Sequence, residues 1–260
     1  MAPPGAPRSA GLGAAVVDLG IAGWPLRRAS PDCIDLAFRS GRSPIIEIPK
    51  DLLDRIPMKQ LFRIVARSGK LPCLAGTTDF ACLSGLKWPD YKRYLDIQAS
   101  QARFLGCRML RLFLQAESRP EFRTALSRVV EFASSLRDLE IVLETHRGWE
   151  THSDGLNDLL AQTEIRLVVD FANVRERAVR EALLRDVPQG RIAYFHIRNL
   201  STRPERPSLA ACEARAEEVF PRHPFLWEPK TLSGWRAVEA FRTHLDRARL
   251  AGTDVAAVFP

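Results

Sequence analysis

Short apolar runs alternate along the chain with longer stretches in which apolar residues recur at helical spacing. The apolar runs predict eight strands, at Ala14–Asp18, Pro44–Ile48, Leu71–Ala75, Met109–Leu114, Ile141–Glu144, Leu167–Asp170, Ala193–His196 and Phe225–Glu228. A helical stretch follows each of them, with about 30 residues per unit. Strands that alternate with helices form parallel sheets, because each crossover returns the chain to the same end of the sheet.

Capping residues mark several of the helix ends. Ser30-Pro31 is typical of an N-cap followed by the first helical residue, and predicts a helix over 31–42. Apolar spacing predicts the next two helices at Asp51–Ser68 and Trp88–Leu105, each followed by a glycine, and Pro120 begins a fourth. Further helices are predicted from near Ser153 and Val174, around Leu209–Val219 and over Trp235–Leu250.

The number of units and the length of the chain together predict the architecture. Eight strand–helix units in 260 residues match one closed (β/α)8 barrel. An open doubly wound sheet is the alternative, but it usually has a glycine-rich phosphate loop after its first strand, and here Gly11-Leu12-Gly13 precedes the strand. We predict an α/β protein with a single (β/α)8 TIM barrel domain over residues 12–260. Residues 1–11, rich in Pro, Gly and Ala, are predicted to be a disordered tail.

Four consecutive predicted strands end on a residue that can bind a metal. Glu144, Asp170, His196 and Glu228 follow one another at steps of 26, 26 and 32 residues. A single acid at a strand end is more often a helix cap or an ion-pair partner, but four such residues in succession form a pattern. In a barrel, the carboxyl ends of all strands open on one face, so these side chains would line one half of its mouth.

Three carboxylates and one imidazole form a hard set of ligands. Such a set suits Mn²⁺, Mg²⁺ or Co²⁺, and Zn²⁺ is compatible with it. We therefore predict one divalent metal ion at this site, with two or three coordination positions left for water and substrate. Asp18 and Glu47 end earlier predicted strands and are expected to add polar contacts from the other half of the mouth.

The strand ends resemble those of the xylose isomerase-like TIM barrels. The resemblance rests on Glu144-Thr145-His146-Arg147-Gly148 (Glu-x-His-x-Gly), Asp170, His196 and Glu228-Pro229. This superfamily includes sugar and sugar-phosphate isomerases, ketose 3-epimerases such as D-tagatose 3-epimerase, and inosose and 3-dehydroshikimate dehydratases; endonuclease IV is a more distant branch. The architectural resemblance extends over about 12–250, but the specific motifs lie within 141–230.

The resemblance also implies roles for individual residues. It makes the four strand-end residues the metal ligands, and Glu144 and Glu228 the acid–base pair of a ketose epimerase. The two glutamates would stand on opposite sides of the substrate carbon and exchange its proton through an enediolate that the metal stabilises. Glu150 matches a further glutamate that contacts the substrate in those epimerases.

Two positions depart from the family pattern. The usual histidine three residues after the strand-six aspartate is Asn173 here, which keeps hydrogen bonding but cannot transfer a proton. After strand seven an acid of the family is replaced by Asn199, whereas Arg198 keeps a cation suited to a carboxylate or a phosphate. A role for Arg198 as an ordinary arginine of the barrel rim is equally open. We predict substrate contacts from His146, Glu150, Asn173 and Arg198.

Three alternatives to an isomerase or epimerase are open. In a dehydratase the same enediolate would expel a β-hydroxyl group, with His146 as the proton donor or acceptor. A nuclease like endonuclease IV needs a histidine-rich trinuclear zinc site, and this chain has five histidines, of which only His196 clearly ends a strand. The third alternative is a non-catalytic barrel used for binding or assembly.

Composition narrows the range of partners. The net charge of +7 is compatible with nucleic-acid binding, but only six of the 38 basic residues are lysines and the arginines are mixed with acids. Five cysteines without a C-x-x-C pair indicate reduced thiols, and no apolar run approaches the ~20 residues needed to cross a bilayer. We expect a cytoplasmic protein with a small-molecule substrate, without nucleic-acid or membrane partners. A homodimer is an expectation from the family alone.

Overall fold

A computed structural model describes residues 19–76, 88–114, 116–146, 148–174, 176–198, 207–220, 222–229 and 232–250. In these residues eight parallel strands form a nearly closed barrel with eight α-helices, which confirms the predicted (β/α)8 architecture and excludes the open sheet. None of the helices in this part of the chain has the length and apolarity to cross a bilayer.

The strands and helices alternate along the described chain. The strands are β1 Leu19–Ile21, β2 Ile45–Pro49, β3 Leu71–Ala75, β4 Met109–Phe113, β5 Glu140–Glu144, β6 Arg166–Asp170, β7 Ile192–Ile197 and β8 Phe225–Trp227. The helices are α1 Pro31–Ser40, α2 Met58–Ser68, α3 Trp88–Phe104, α4 Arg119–Ser134, α5 Ser153–Gln162, α6 Arg177–Arg185, α7 Pro207–Val219 and α8 Gly234–Leu250. Short 3₁₀ turns lie at 24–26, 50–52, 149–151 and 189–191.

The barrel closes where β1 meets the start of β2. The strand order is β1-β8-β7-β6-β5-β4-β3-β2, with every neighbouring pair parallel. The backbone N–H groups of Arg42 and Ser43 donate to the carbonyl oxygen of Leu19 at 2.8 and 3.0 Å. A Cβ on Gly41 would lie 2.9 Å from the Cα of Gly20, so glycine is needed for this close approach.

Side chains along each strand alternate between the barrel interior and the helix layer. In β5, Val142 belongs to the interior cluster, whereas Ile141 and Leu143 pack in the larger core between sheet and helices. The interior cluster, which we call the plug, consists of Ala22, Ile45, Cys73, Met109, Val142, Val168, Ala193, Tyr194 and Leu226. It fills the barrel below the carboxyl ends of the strands.

Some predicted boundaries differ from the structure. The predicted helix Asp51–Ser68 is wrong in its first part, where residues 50–52 form a 3₁₀ turn and α2 begins only at Met58. Pro57, with φ −52° and ψ 129°, interrupts the helical path, because proline lacks an N–H donor and disfavours a helical residue before it. The predicted tail 1–11 and the strand predicted at Ala14–Asp18 lie outside the described residues, and the first described strand is β1.

We expect Gly20→Ala to destabilise the barrel. An added Cβ would lie 2.8 Å from the Cβ of Ser43 and 2.9 Å from the Cδ2 of Leu226, so the seam would have to shift. Overpacking of this kind costs about 1–3 kcal/mol of the free energy of unfolding, measurable by denaturant titration. Gly190→Ala is the control, because no atom lies within 4 Å of its added Cβ. Equal stability of both variants would contradict the expectation.

Candidate metal centre

The four strand-end residues converge at the mouth of the barrel. Glu144 and Asp170 are the last residues of β5 and β6, His196 lies one residue before the end of β7, and Glu228 directly follows β8. All four are buried, and each offers a ligand atom within 4.8 Å of those of the other three. The cluster has the composition and spacing to hold a metal ion. Its role as a ligand set stays a prediction.

The imidazole of His196 lies at the centre of the cluster. Its Nδ1 atom is 3.4 Å from Oε1 of Glu144 and 3.2 Å from Oε2 of Glu228. On the other side of the ring, Nε2 is 3.0 Å from Oε1 of Glu47. Among the described residues, Nδ1 and Oε2 of Glu228 are buried atoms without a hydrogen bond. Buried polar atoms are rarely left without a partner. A cation between Nδ1 of His196 and Oε2 of Glu228 would give both atoms one, so the residues fit a metal.

The charges of the site also fit a dication. The site contains four carboxylates and two guanidinium groups. The carboxylates belong to Glu47, Glu144, Asp170 and Glu228, and the guanidinium groups belong to Arg111 and Arg198. Nε of Arg111 is 3.1 Å from Glu47, and its Nη1 contacts Glu144. Nη2 of Arg198 is 2.5 Å from Oδ2 of Asp170. A cation bound at Nδ1 of His196 would displace the proton there, and the site would then carry two formal negative charges, the number that a divalent cation neutralises.

The electrostatics of the buried groups favour positive charge at the imidazole. Burial tends to raise the pKa of Glu47, but Arg111 and His196 beside it hold that pKa well below its usual range. Burial is the main cause of the raised pKa of Asp170. Burial tends to lower the pKa of His196, yet the adjacent Glu47 and Glu228 carboxylates raise it to about 9.

Two of the predicted substrate contacts lie against Asp170. Asn173 is buried and its Nδ2 donates to Oδ2 of Asp170 at 2.9 Å, the same oxygen that pairs with Arg198. Arg198 also donates from Nη1 to the carbonyl oxygen of Glu228 at 3.0 Å. Both side chains therefore hold members of the cluster, and their contact with substrate stays a prediction.

The other two predicted contacts follow β5. His146 is partly buried, and its ring centroid lies 4.4 Å from that of Phe113 at the end of β4. Glu150 belongs to the 3₁₀ turn at 149–151, and its side chain lies outside the described atoms. Asp18, expected to contribute from the first strand, is also outside the described residues.

Sequence reasoning missed Arg111 and Tyr194. Arg111 interrupts the apolar run Met109–Leu114, and strand alternation from an inward Met109 would have placed it inside the barrel. Tyr194 belongs to the plug and donates its hydroxyl to Glu47 at 2.6 Å. The sequence carries no local signal for this contact, because the two residues are 147 positions apart. Glu47 itself was expected to add a polar contact, and it does.

No family model matches the sequence, and no curated protein matches it either. Solved structures with the same fold include the probable 3-DHS dehydratase AsbF, involved in petrobactin synthesis, from Bacillus anthracis. Its TM-score is 0.66 at 13% identity, with 90% of this chain and 99% of that chain covered.

A D-allulose 3-epimerase from Methylomonas sp. has a TM-score of 0.63 at 14% identity, with 94% of each chain covered. An AP endonuclease, family 2, from Brucella melitensis has a TM-score of 0.63 at 13% identity, with 87% of this chain and 98% of that chain covered. At such identities the similarity establishes the fold alone, and it confirms the predicted resemblance to the xylose isomerase-like barrels at that level.

We expect Mn²⁺ to raise the melting temperature of the protein after treatment with a chelator. A ligand at 100 times its dissociation constant adds about 2.7 kcal/mol to the free energy of unfolding. Asp170→Asn keeps the size of the side chain but removes its charge, so this gain should shrink or vanish. Asp138→Asn alters an exposed aspartate paired with Arg103, and should keep the full gain. Equal Mn²⁺ stabilisation of Asp170→Asn and wild type would contradict the ligand set.

Helix α7 carries two buried acids beside the site. Oε1 of Glu213 accepts a hydrogen bond from the backbone N–H of Arg198 at 2.7 Å, which ties α7 to the segment after β7. Glu217, one turn later, is buried, and its Oε1 atom has no hydrogen bond in the described part of the chain. Burial and, to a smaller extent, the charge of Glu213 raise the pKa of Glu217 to about 8.

Glu217 should make the protein less stable as the pH rises. Between pH 4.5 and about 8 the folded chain keeps this proton while the unfolded chain has released it. The free energy of unfolding therefore falls with pH, by at most about 1.4 kcal/mol per pH unit from this group. Glu217→Gln cannot ionise and should lose less stability from pH 5 to pH 8 in denaturant titrations. Parallel curves for the two proteins would contradict this.

Proposed function

We propose that the protein is a divalent-metal-dependent isomerase or epimerase acting on a sugar or a related polyhydroxy carbonyl compound. The observation that carries the proposal is the approach of Glu144 and Glu228 to one atom, Nδ1 of His196, at 3.4 and 3.2 Å. The two carboxylates reach a common small volume from the ends of β5 and β8. An acid–base pair that works on one substrate carbon needs this arrangement.

In the proposed reaction the two glutamates exchange the proton on one substrate carbon for another. One carboxylate takes the proton from the carbon next to the substrate carbonyl, and the other returns a proton to the opposite face. A divalent cation held by the four-residue cluster would supply the positive charge that acidifies this C–H bond and stabilises the enediolate. Nη2 of Arg198, 3.4 Å from Oε2 of Glu228, adds a second positive charge on that side of the site.

The structural neighbours support an enzyme of this general kind. One is described as a D-allulose 3-epimerase and another as a probable 3-DHS dehydratase. Among the described residues, the metal-binding cluster contains one histidine, which argues against the histidine-rich trinuclear site of a nuclease. The proposed substrate is a small molecule, and the proposed location is the cytoplasm.

A dehydratase is the second candidate, and the position of His146 favours it. His146 follows Glu144 by two residues, and its ring lies over Phe113 at the end of β4. An imidazolium at this position would protonate a leaving hydroxyl group, in which case the enediolate would lose water rather than regain a proton.

Deuterium exchange tests the proposal. The Mn²⁺-loaded protein is incubated in D₂O with a panel of ketoses and cyclitol ketones, and the products are analysed by NMR and mass spectrometry. Deuterium incorporation without loss of water supports an epimerase or isomerase, and a new conjugated-enone absorbance supports the dehydratase. Neither signal from any compound would count against both.

Glu144→Gln and Glu228→Gln should each keep the fold and lower turnover roughly 100- to 10,000-fold, because each removes one general acid or base. Glu164→Gln is the control. Its side chain is 95% exposed and precedes β6, at the opposite end of the barrel. Near-normal turnover in either site variant would refute the acid–base assignment, while circular dichroism monitors the fold.

A further inference from the structure

We propose that Glu47 is a positioning residue that fixes which nitrogen of His196 faces the metal and, through Arg111, holds Glu144 in place. The inference rests on the metal site of the proposed function and adds a role for β2, the strand on the far side of the barrel from β6. Glu47 is completely buried, and it contacts the cluster directly at His196 and through Arg111 at Glu144.

The contacts of Glu47 are all with donors. Its Oε2 accepts from the backbone N–H of Gly23 at 2.9 Å, and its Oε1 accepts from the hydroxyl of Tyr194 at 2.6 Å. Arg111 forms an ion pair with Oε1 at 3.1 Å. A carboxyl group surrounded by an amide, a hydroxyl and a guanidinium acts as an acceptor only. The nearby nitrogen of His196 must then be the donor in their 3.0 Å contact.

This hydrogen bond sets the tautomer of His196. A neutral imidazole carries one N–H and one lone pair, so a proton on Nε2 leaves the lone pair on Nδ1. Nδ1 is the atom that faces Glu144 and Glu228. A carboxylate behind a ligating histidine fixes the orientation of the ring and increases its basicity. Glu47 is placed to do both for His196.

Arg111 extends the influence of Glu47 to a second member of the cluster. Its Nε pairs with Glu47 and its Nη1 contacts Oε2 of Glu144. The guanidinium is planar and rigid, so a shift at Glu47 is transmitted to Glu144. Loss of the Glu47 charge would also leave Arg111 buried with one carboxylate fewer.

Tyr194 offers a way to weaken the contacts of Glu47 while every member of the cluster keeps its side chain. It lies two residues before His196 on β7, is completely buried, and donates to Glu47. Tyr194→Phe removes that donor and keeps the ring in the plug. Tyr91→Phe is the matched control, since Tyr91 is a buried tyrosine on helix α3, outside the barrel interior.

The test uses Zn²⁺ as a diamagnetic probe and ¹⁵N-histidine-labelled protein. Two-bond ¹H–¹⁵N correlation spectra report which nitrogen carries a proton and which binds the metal, and a His196→Gln variant identifies the signal of His196. Calorimetric titration gives the Zn²⁺ affinity. In wild type we expect a protonated Nε2 and a zinc-bound Nδ1.

Glu47→Gln should lower the Zn²⁺ affinity by roughly 10- to 100-fold and allow zinc to bind through either ring nitrogen of His196. Tyr194→Phe should lower the Zn²⁺ affinity by a smaller factor and loosen the choice of nitrogen in the same direction. If Glu47→Gln does not fold, Tyr194→Phe tests the positioning role by itself. Tyr91→Phe should match wild type.

The outcomes separate the two proposals. Zinc bound through Nε2, or wild-type affinity and tautomer in both variants, would overturn the positioning role and leave the metal site standing. No zinc binding by wild-type protein would overturn the metal site and the positioning role together.

Discussion

The two-residue alternation of side chains along a strand determines the whole site. Six polar residues of the mouth each lie two positions after a plug residue. The pairs, with the plug residue first, are Ile45 and Glu47, Met109 and Arg111, Val142 and Glu144, Val168 and Asp170, Tyr194 and His196, and Leu226 and Glu228. Successive inward side chains therefore form an apolar layer and then a charged layer. The position of each charged group depends on how the layer beneath it packs, because a strand cannot move one inward residue without moving the next.

Burying so many charged groups is costly unless they neutralise one another. Arg111 lies between Glu47 and Glu144, so it connects β2, β4 and β5 across the barrel. Arg198 performs a similar task for Asp170 and Glu228 on the other side. The two arginines reduce the excess negative charge without removing it, so the site remains attractive to a dication while the apolar layer below stays packed.

Much of this arrangement could be predicted from the sequence. The same physical reasons explain why some of its contacts could not. Each of the four cluster residues ends an apolar run, so their common position could be derived from strand polarity alone. Arg111 lies inside such a run, and its orientation depends on register rather than on composition. The contacts of Asn173 and Arg198 with Asp170 depend on side-chain rotamers, which no spacing rule determines. Pro57 is a helix-breaking residue within the predicted helix Asp51–Ser68, and the prediction followed the apolar spacing on both sides of it instead.

The two glutamates of the cluster are held with unequal firmness. Glu144 completes a five-residue strand and its Oε2 is clamped by Arg111, whereas Glu228 follows the three-residue β8 and its Oε2 has no hydrogen bond among the described residues. The carboxylate of Glu144 is therefore in direct contact with its arginine, whereas that of Glu228 forms a longer ion pair with Arg198, at 3.4 Å. Because a longer ion pair is the weaker one, a change of bound compound would be accommodated first at Glu228.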